Sequence, residues 1–319
     1  MNKSIRVGAV VSLLMIVALL VNYSIVQGMR EDEYAQNAHN SRILMELKRT
    51  NRGDIVAGDT VLAQSYRDEE TGFYQRTYPN MPWSFAPVVG YASDQFGTAQ
   101  LEATHNGDLT GDSGTSSRFL RTGLEDGEKG DTVELTLDPN LQAFAFDQLV
   151  KPGYEGAVVA VRPSSGEVLA MASTPSYDPN GIANPATAEG AWAEVNGNPA
   201  KPLLNHATQE QLPPGSIFKI ITTAAGLRSG FTPDSPLTGE AQTILPGTDN
   251  IPLTNYGGQA CAGGGQVPLR TAFALSCNTA FVQMGLAAGP DALRDAAGRF
   301  GIGQSYDLGL PNAAGSLGE

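Results

Sequence analysis

Residues 7–21 read VGAVVSLLMIVALLV, and Ser12 carries their one polar side chain. Continued through Asn22-Tyr23-Ser24-Ile25-Val26, the stretch is 20 residues long. At 1.5 Å per residue, a helix of that length covers roughly 30 Å, the thickness of a bilayer's hydrocarbon core. This run sets the architecture before anything else does, because it separates a short N-terminal stub from a large body on the far side of a membrane. Lys3 and Arg6 precede it, and Glu31, Asp32 and Glu33 follow it. The positive-inside rule then holds the N-terminus in the cytoplasm and exports the rest. A cleaved signal peptide shares the charged start and apolar middle, but no convincing small-x-small cleavage site stands between Asn22 and Arg30. Residues 1–30 are therefore read as a cytoplasmic stub and an uncleaved, single-pass anchor.

Charge divides the chain at the same place. The formal net charge is -13, and residues 1–30 contribute Lys3, Arg6 and Arg30 with no acid. Removing that +3 leaves -16 on the exported body. Such a body lacks the basic footprint that contacts phosphates, which argues against a nucleic-acid partner. Two cysteines cannot build a disulfide-rich scaffold or a four-cysteine zinc site. His39, His105 and His206 lie far apart and match no metal-ligand spacing, so neither metal nor cofactor is expected. Apolar residues make up 41% of the chain, enough for a sizeable core.

Within the body, Ile43, Leu44 and Leu47 suggest a short helix over 31–50. Arg52 to Ala63 reads as strand, turn and strand about Gly58-Asp59. Residues 104–130 are rich in Gly, Asp, Thr and Ser, the composition of a linker. Residues 131–137 alternate as a half-buried strand does. Asp138 then caps a helix over about 140–150, with Pro139 at its first position. Residues 156–161 read as a buried strand and 167–172 as its returning partner. Residues 174–200 look irregular, and two helices are expected near 216–228 and 268–288. The series predicts an α+β arrangement, with helices packed on an antiparallel sheet. Trp83 and Trp192 are read as packing residues, His206 as a structural or solvated imidazole, and Asp68-Glu69-Glu70 as a solvated surface.

The chemistry centres on Pro213-Pro214-Gly215-Ser216-Ile217-Phe218-Lys219. Residues three apart share a helix face, so the Lys219 amine falls beside the Ser216 hydroxyl. A serine hydroxyl is a weak nucleophile until a base takes its proton, and a desolvated lysine can be that base. Ile217, Phe218, Ile220 and Ile221 predict an apolar environment for Lys219. Ser-x-x-Lys alone fits a second reading equally well, an N-cap serine followed by a lysine that snorkels to solvent. Ser276-Cys277-Asn278 lies sixty residues on; alone, Ser-x-Asn is nearly uninformative.

Together these motifs resemble the active site of penicillin-binding proteins and serine β-lactamases, which use Ser-x-x-Lys, then Ser-x-Asn, then Lys-Thr-Gly. The stretch from Gly156 to Asn180 closely resembles the opening of the transpeptidase domain of class B penicillin-binding proteins. Asn205 to Ser216 resembles the approach to the nucleophile, and Phe300 to Pro311 the stretch after the second motif. Arg52-Gly53-Asp54-Ile55 with Val61-Leu62-Ala63, and Glu102 with Leu109-Thr110-Gly111, resemble the family's pedestal, so 104–130 is read as pedestal instead of free linker. In detail the chain is most similar to the short actinobacterial type.

The resemblance implies an anchor over 1–30, a pedestal over 31–130 and a penicillin-binding transpeptidase domain over 131–319. It implies a peptidoglycan D,D-transpeptidase with Ser216 as nucleophile and Lys219 as base. Ser276 would relay a proton, and Asn278 would hold Lys219 and the substrate amide. Implied partners are stem peptides ending in D-Ala-D-Ala, β-lactam antibiotics and the membrane. A glycan-strand polymerase and proteins of cell-wall elongation or division are implied by analogy alone. No Lys-Thr-Gly, Lys-Ser-Gly or His-Thr-Gly occurs, and Lys219 is the last lysine. The chain is therefore read as C-terminally truncated. The alternatives are a β-lactamase, against which the anchor and pedestal speak, and a catalytically incomplete scaffold or β-lactam sensor if the chain ends at 319. Cys261 and Cys277 are expected outside the cytoplasm, where a bridge closing the span between them, worth about 3 kcal/mol, is favoured over two free thiols.

Overall fold

The computed structural model describes residues 3–29, 47–111 and 129–318, with the side chains of 7–25 in the first segment. The helix expected over 31–50 falls mostly on 30–46, outside the described residues, as does most of the 104–130 stretch. Helix α1 (Lys3–Met29) is long and apolar enough over Val7–Ile25 to cross a membrane. The chain divides into two compact units, Met1–Gln209 with Gly309–Pro311 and Glu210–Leu308 with Asn312–Glu319.

In the first unit, β1 (Ile55–Ala57) and β2 (Thr60–Arg67) pair antiparallel, with Ala57 opposite Thr60. The Gly58-Asp59 tip is the one read from the sequence; Gly58 has φ 54°, a left-handed value glycine adopts without strain. Strand β3 (Tyr74–Thr77) extends the sheet beyond β2, and β6 (Val133–Leu135) joins β1 in parallel. Between them lie α2 (Pro82–Val89), the short pair β4 (Ala92–Ser93) and β5 (Gly97–Thr98), and the brief helices α3 (Leu101–Thr104) and α4 (Asn106–Thr110). Ile55, Leu62, Phe85, Val89 and Leu109 form the core here.

An ionic cluster is buried in this unit. Glu102 Oε2 accepts from Arg52 Nε and Nη2 at 3.0 and 2.8 Å, and its Oε1 accepts from Arg76 Nε at 2.6 Å and Tyr78 Oη at 3.2 Å. Burial pushes the Glu102 pKa upward, but the Arg76 and Arg52 guanidiniums outweigh it and hold the carboxyl below its usual range. The pairing draws Arg52 and Arg76 inside, where unpaired arginines are almost never found.

Helix α5 (Pro139–Val150) begins as expected: the Asp138 side chain accepts from the Asn140 and Leu141 N–H groups. Ala145 and Leu149 on its inner face pack on Ala160, Ala170 and Ala172 of the hairpin β7 (Gly156–Val161) and β8 (Val168–Thr174). Strand β7 is not buried as expected. Val159 and Val161 are 47% and 50% exposed, because among the described residues β7 pairs with β8 alone and its outer face is uncovered. Residues 174–200 are also more regular than expected, holding α6 (Pro179–Ala183) and α7 (Ala188–Gly197). Asp178 caps α6 ahead of Pro179, the same Asp-Pro device that starts α5. The Trp192 ring stacks on Phe96 with centroids 4.7 Å apart, whereas Trp83 is exposed. The His206 N–H donates to Ser173 Oγ at 3.0 Å within this unit. Asp68 is not simply solvated: it closes its turn by accepting from the Glu70 and Thr71 N–H groups.

The second unit contains α8 (Phe218–Arg228), the pairs β9 (Pro236–Thr238)–β12 (Gln266–Pro268) and β10 (Gln242–Ile244)–β11 (Pro252–Thr254), then α9 (Leu269–Ala274), α10 (Asn278–Ala288) and α11 (Pro290–Arg299). Ile221 and Ala225 of α8 pack on Ala296 and Ala297 of α11. Leu237, Val267, Phe281 and Met284 pack beside them. Gly226 of α8 faces Met284 of α10, and a Cβ there would come within 2.5 Å of its sulfur. The single helix expected over 268–288 is broken after Ala274, and the break places the second motif.

Candidate active site

Pro213 and Pro214 cannot continue an incoming helix, and Gly215 turns the chain at φ 55°. A 3₁₀ turn (Gly215–Ile217) follows and runs directly into α8. Ser216 stands in that turn, exposed, and Lys219 lies one turn on, half-buried. The Lys219 Nζ lies 3.3 Å from Ser216 Oγ.

Helix α9 ends in a Schellman arrangement: the Ser276 N–H donates to Phe273 O and the Cys277 N–H to Ala272 O. Ser276 occupies the position where glycine is usual, with φ 55°. That conformation costs an L-residue about 1–2 kcal/mol. In exchange, the serine presents both its hydroxyl and its carbonyl to the lysine. Lys219 Nζ lies 2.9 Å from Ser276 Oγ and 2.7 Å from Ser276 O. Ser276 Oγ is also 3.1 Å from Ser216 Oγ, closing a triangle of two hydroxyls and an amine. Asn278 begins α10 and turns its Oδ1 to Lys219 Nζ at 2.5 Å, while its Nδ2 donates to Thr254 O at 2.8 Å. Cys277, between these two residues, is disulfide-bonded to Cys261, which ties the motif to the segment before β12. All four residues read from the sequence are thus brought to one place.

The surroundings of Lys219 differ from the expectation. Ile217 and Ile220 are 73% and 47% exposed, and Ile221 turns into the core. What lies against the amine is the Phe281 ring of α10, 5.5 Å from its centroid, and the polar groups of Ser276 and Asn278. Burial lowers the Lys219 pKa below its ordinary value. Sequence reasoning missed Phe281, the Ser276 carbonyl and the Thr254 carbonyl. Phe281 lies three residues from Asn278, a helical spacing that offered a signal; the two carbonyls are backbone groups and left none.

Hydrogen-bond valence shows what this arrangement can do. A neutral amine has two N–H donors and one lone pair. Ser276 O can only accept, and so can the Asn278 Oδ1, whose amide nitrogen is committed to Thr254 O. These two acceptors use both donors of a neutral Lys219. The single lone pair of that neutral amine is then left for one hydroxyl, that of Ser216 or that of Ser276, as a general base needs. Among the described residues no group of three His, Cys, Asp or Glu side chains is placed to hold a metal.

Residues 156–318 match the penicillin binding protein transpeptidase domain family, and residues 52–133 match the penicillin binding protein A dimerisation domain family. The chain is 40% identical over 312 residues to the peptidoglycan D,D-transpeptidase PbpA of Mycobacterium tuberculosis, covering 95% of this chain and 62% of that protein. To the peptidoglycan D,D-transpeptidase MrdA of Escherichia coli it is 33% identical over 184 residues, 57% of this chain and 28% of that one. The crystal structure of PBPA from M. tuberculosis is similar with a TM-score of 0.78 and 40% identity, over 85% of this chain and 63% of the other. The penicillin G acyl-enzyme complex of M. tuberculosis penicillin-binding protein A gives a TM-score of 0.77 over the same shares. The chain thus spans less than two thirds of the length of these relatives.

Proposed function

The chain belongs to the penicillin-binding protein transpeptidase family, and from that membership we propose that it is a serine-type peptidoglycan D,D-transpeptidase whose site is built by Ser216, Lys219, Ser276 and Asn278. The observation that carries the reading is the commitment of the Lys219 donors to Ser276 O and Asn278 Oδ1. It leaves the amine basic toward Ser216.

In the proposed reaction, Ser216 Oγ attacks the carbonyl of the terminal D-Ala-D-Ala amide of a stem peptide. Its proton passes to Lys219, directly over 3.3 Å or through Ser276 Oγ over 3.1 and 2.9 Å. The Ser216 N–H lies in the turn that opens the helix, where positive potential favours a developing oxyanion. The proton returns through the same hydroxyls to the departing amine, and D-Ala leaves. The amino group of a neighbouring stem then attacks the acyl-serine, gives a proton to Lys219 that passes to Ser216 Oγ as its bond to the acyl carbon breaks, and so completes the cross-link. A β-lactam presents a similar carbonyl to Ser216 and leaves it acylated, the state in which a relative has been crystallised.

An apolar N-terminal helix fits a single-pass membrane anchor. We place the N-terminus in the cytoplasm and residues 31–319 outside, with 31–130 as pedestal and 131–319 as transpeptidase domain. Because the chain spans less than two thirds of the length of its relatives, the test uses the full-length protein. Fluorescent penicillin should label the wild type stably and leave Ser216→Ala unlabelled. Labelling that survives Ser216→Ala refutes the nucleophile. Release of the label many times per second refutes transpeptidase in favour of lactamase.

A further inference from the structure

The turn after β11 carries a buried polar side chain where a solvated one is the rule. Asn255 is 7% exposed, although Tyr256 beside it is 97% exposed and Gly257 and Gly258 turn the chain at positive φ. Both donors and the oxygen of the Asn255 amide are engaged. Its Nδ2 donates to Glu240 O at 2.9 Å and to Gln259 O at 3.1 Å. Its Oδ1 accepts from the Thr279 N–H at 3.1 Å. Thr279, itself fully buried, donates its hydroxyl to Glu240 O at 2.9 Å as well.

Thr279 is the second residue of α10, and Cys277, at the N-cap position, offers no side-chain cap. Asn255 therefore satisfies from outside one of the N–H groups that a helix start leaves open. Its neighbour Thr254 supplies the carbonyl that takes the Asn278 Nδ2. The pair Thr254–Asn255 thus grips the pair Asn278–Thr279, once through backbone and once through side chain.

We propose that Asn255 is a positioning residue of the Ser216 site, which holds the Asn278 amide with its oxygen toward Lys219. Because a carbonyl can only accept, the Asn278 NH₂ must face Thr254 as long as the turn stays in register with α10. If the register loosens, the amide is free to rotate and Lys219 loses an acceptor. The groups facing that amine are the Ser216 and Ser276 hydroxyls, the Ser276 carbonyl, the Asn278 oxygen and the Phe281 ring. Glu240 meets the turn through its backbone carbonyl and is itself exposed. The inference rests on the transpeptidase reading above.

The test is the second-order rate of acylation by fluorescent penicillin, per folded molecule of the whole gene product, followed across pH. Asn255→Ala should lower the plateau about 10–100-fold, as small misplacements of catalytic groups do. Its acid limb should also move to lower pH, because an acceptor that favours the ammonium has been lost. A plateau equal to that of the wild type overturns the proposal. So does a lowered plateau with an unmoved limb, which marks a merely structural role. Should Asn255→Ala not fold, Asn255→Ser keeps one short hydroxyl in place of the amide, which cannot make both donations and the acceptance from Thr279; both signs are expected, and their absence overturns the proposal equally. A wild type that takes no label overturns the transpeptidase reading instead.

Discussion

Replacing Glu102 by Gln would leave the buried Arg52 and Arg76 facing a neutral amide. Glu102 is 0% exposed and the two arginine side chains are 2% and 3% exposed, so solvent cannot compensate either guanidinium. Glutamine keeps the volume, so no cavity enters the estimate. Removing one partner of a buried ion pair costs about 3–5 kcal/mol, chiefly because it strands the other charge. Here one carboxylate serves two guanidiniums, which places the expected loss in the upper part of that range. For a unit of this size, a loss of about 4–5 kcal/mol corresponds to a fall in Tm of roughly 8–20 °C.

The chain's two tryptophans, Trp83 and Trp192, both lie in the first unit. Their fluorescence therefore follows that unit alone, which matters because a chain of two units has no single unfolding free energy. The folded pKa of Glu102 lies below its unfolded value, so its contribution is present at neutral pH and is lost as pH falls through the folded pKa. The wild type should show that acid loss, and Glu102→Gln should not. Exchanging all three groups for apolar ones of similar volume should recover much of the stability. A Glu102→Gln protein within about 1 kcal/mol of wild type, the worth of an ordinary hydrogen bond, would refute the view that charge organises this core.

Four further outcomes follow from the second unit. Lys219→Met keeps the length of the side chain and removes the base; penicillin acylation should fall about 10²–10⁴-fold. In the wild type, acylation should rise with pH along a limb set below the ordinary lysine range, since burial lowers that pKa, and a limb at the ordinary value would contradict the base role. Ser276→Gly should relieve the left-handed strain and raise stability by about 1 kcal/mol while slowing acylation; a variant that is both more stable and as fast would remove Ser276 from the relay. Cys261→Ser should lower the stability of the second unit by about 3 kcal/mol, read as faster thermal loss of penicillin labelling.

Where the sequence was read correctly, the signal was local. The Asp138-Pro139 start of α5, the Gly58-Asp59 tip and the three-residue spacing of Ser216 and Lys219 each depend on neighbours within one turn. The same Asp-Pro device at Asp178-Pro179 lies in a proline-rich stretch, and the helix it starts, five residues long, is too short for periodicity to mark. The break at Ser276 was invisible for a different reason. Residues 268–288 have helical composition throughout, and serine is not the residue that announces a left-handed turn. The strain there is a tertiary choice, stabilised by the bonds from Lys219, which lies 57 residues away in sequence.

The surroundings of Lys219 expose the limit most clearly. An apolar environment was inferred from residues at one and two positions' distance, yet on a helix those residues do not share a face with the lysine. Ile217 and Ile220 are turned away from it almost by necessity, and both are exposed. A side chain is desolvated by what lies three or four residues along its own helix, and by whatever another element brings to that face. Here another element brings Phe281 and the second motif. An apolar flank therefore says how a helix packs and nothing about how its lysine is housed. The acceptors that meet the Lys219 amine, and the Phe281 ring beside it, come from residues more than fifty positions downstream, and Asn255 accepts from the second residue of their helix.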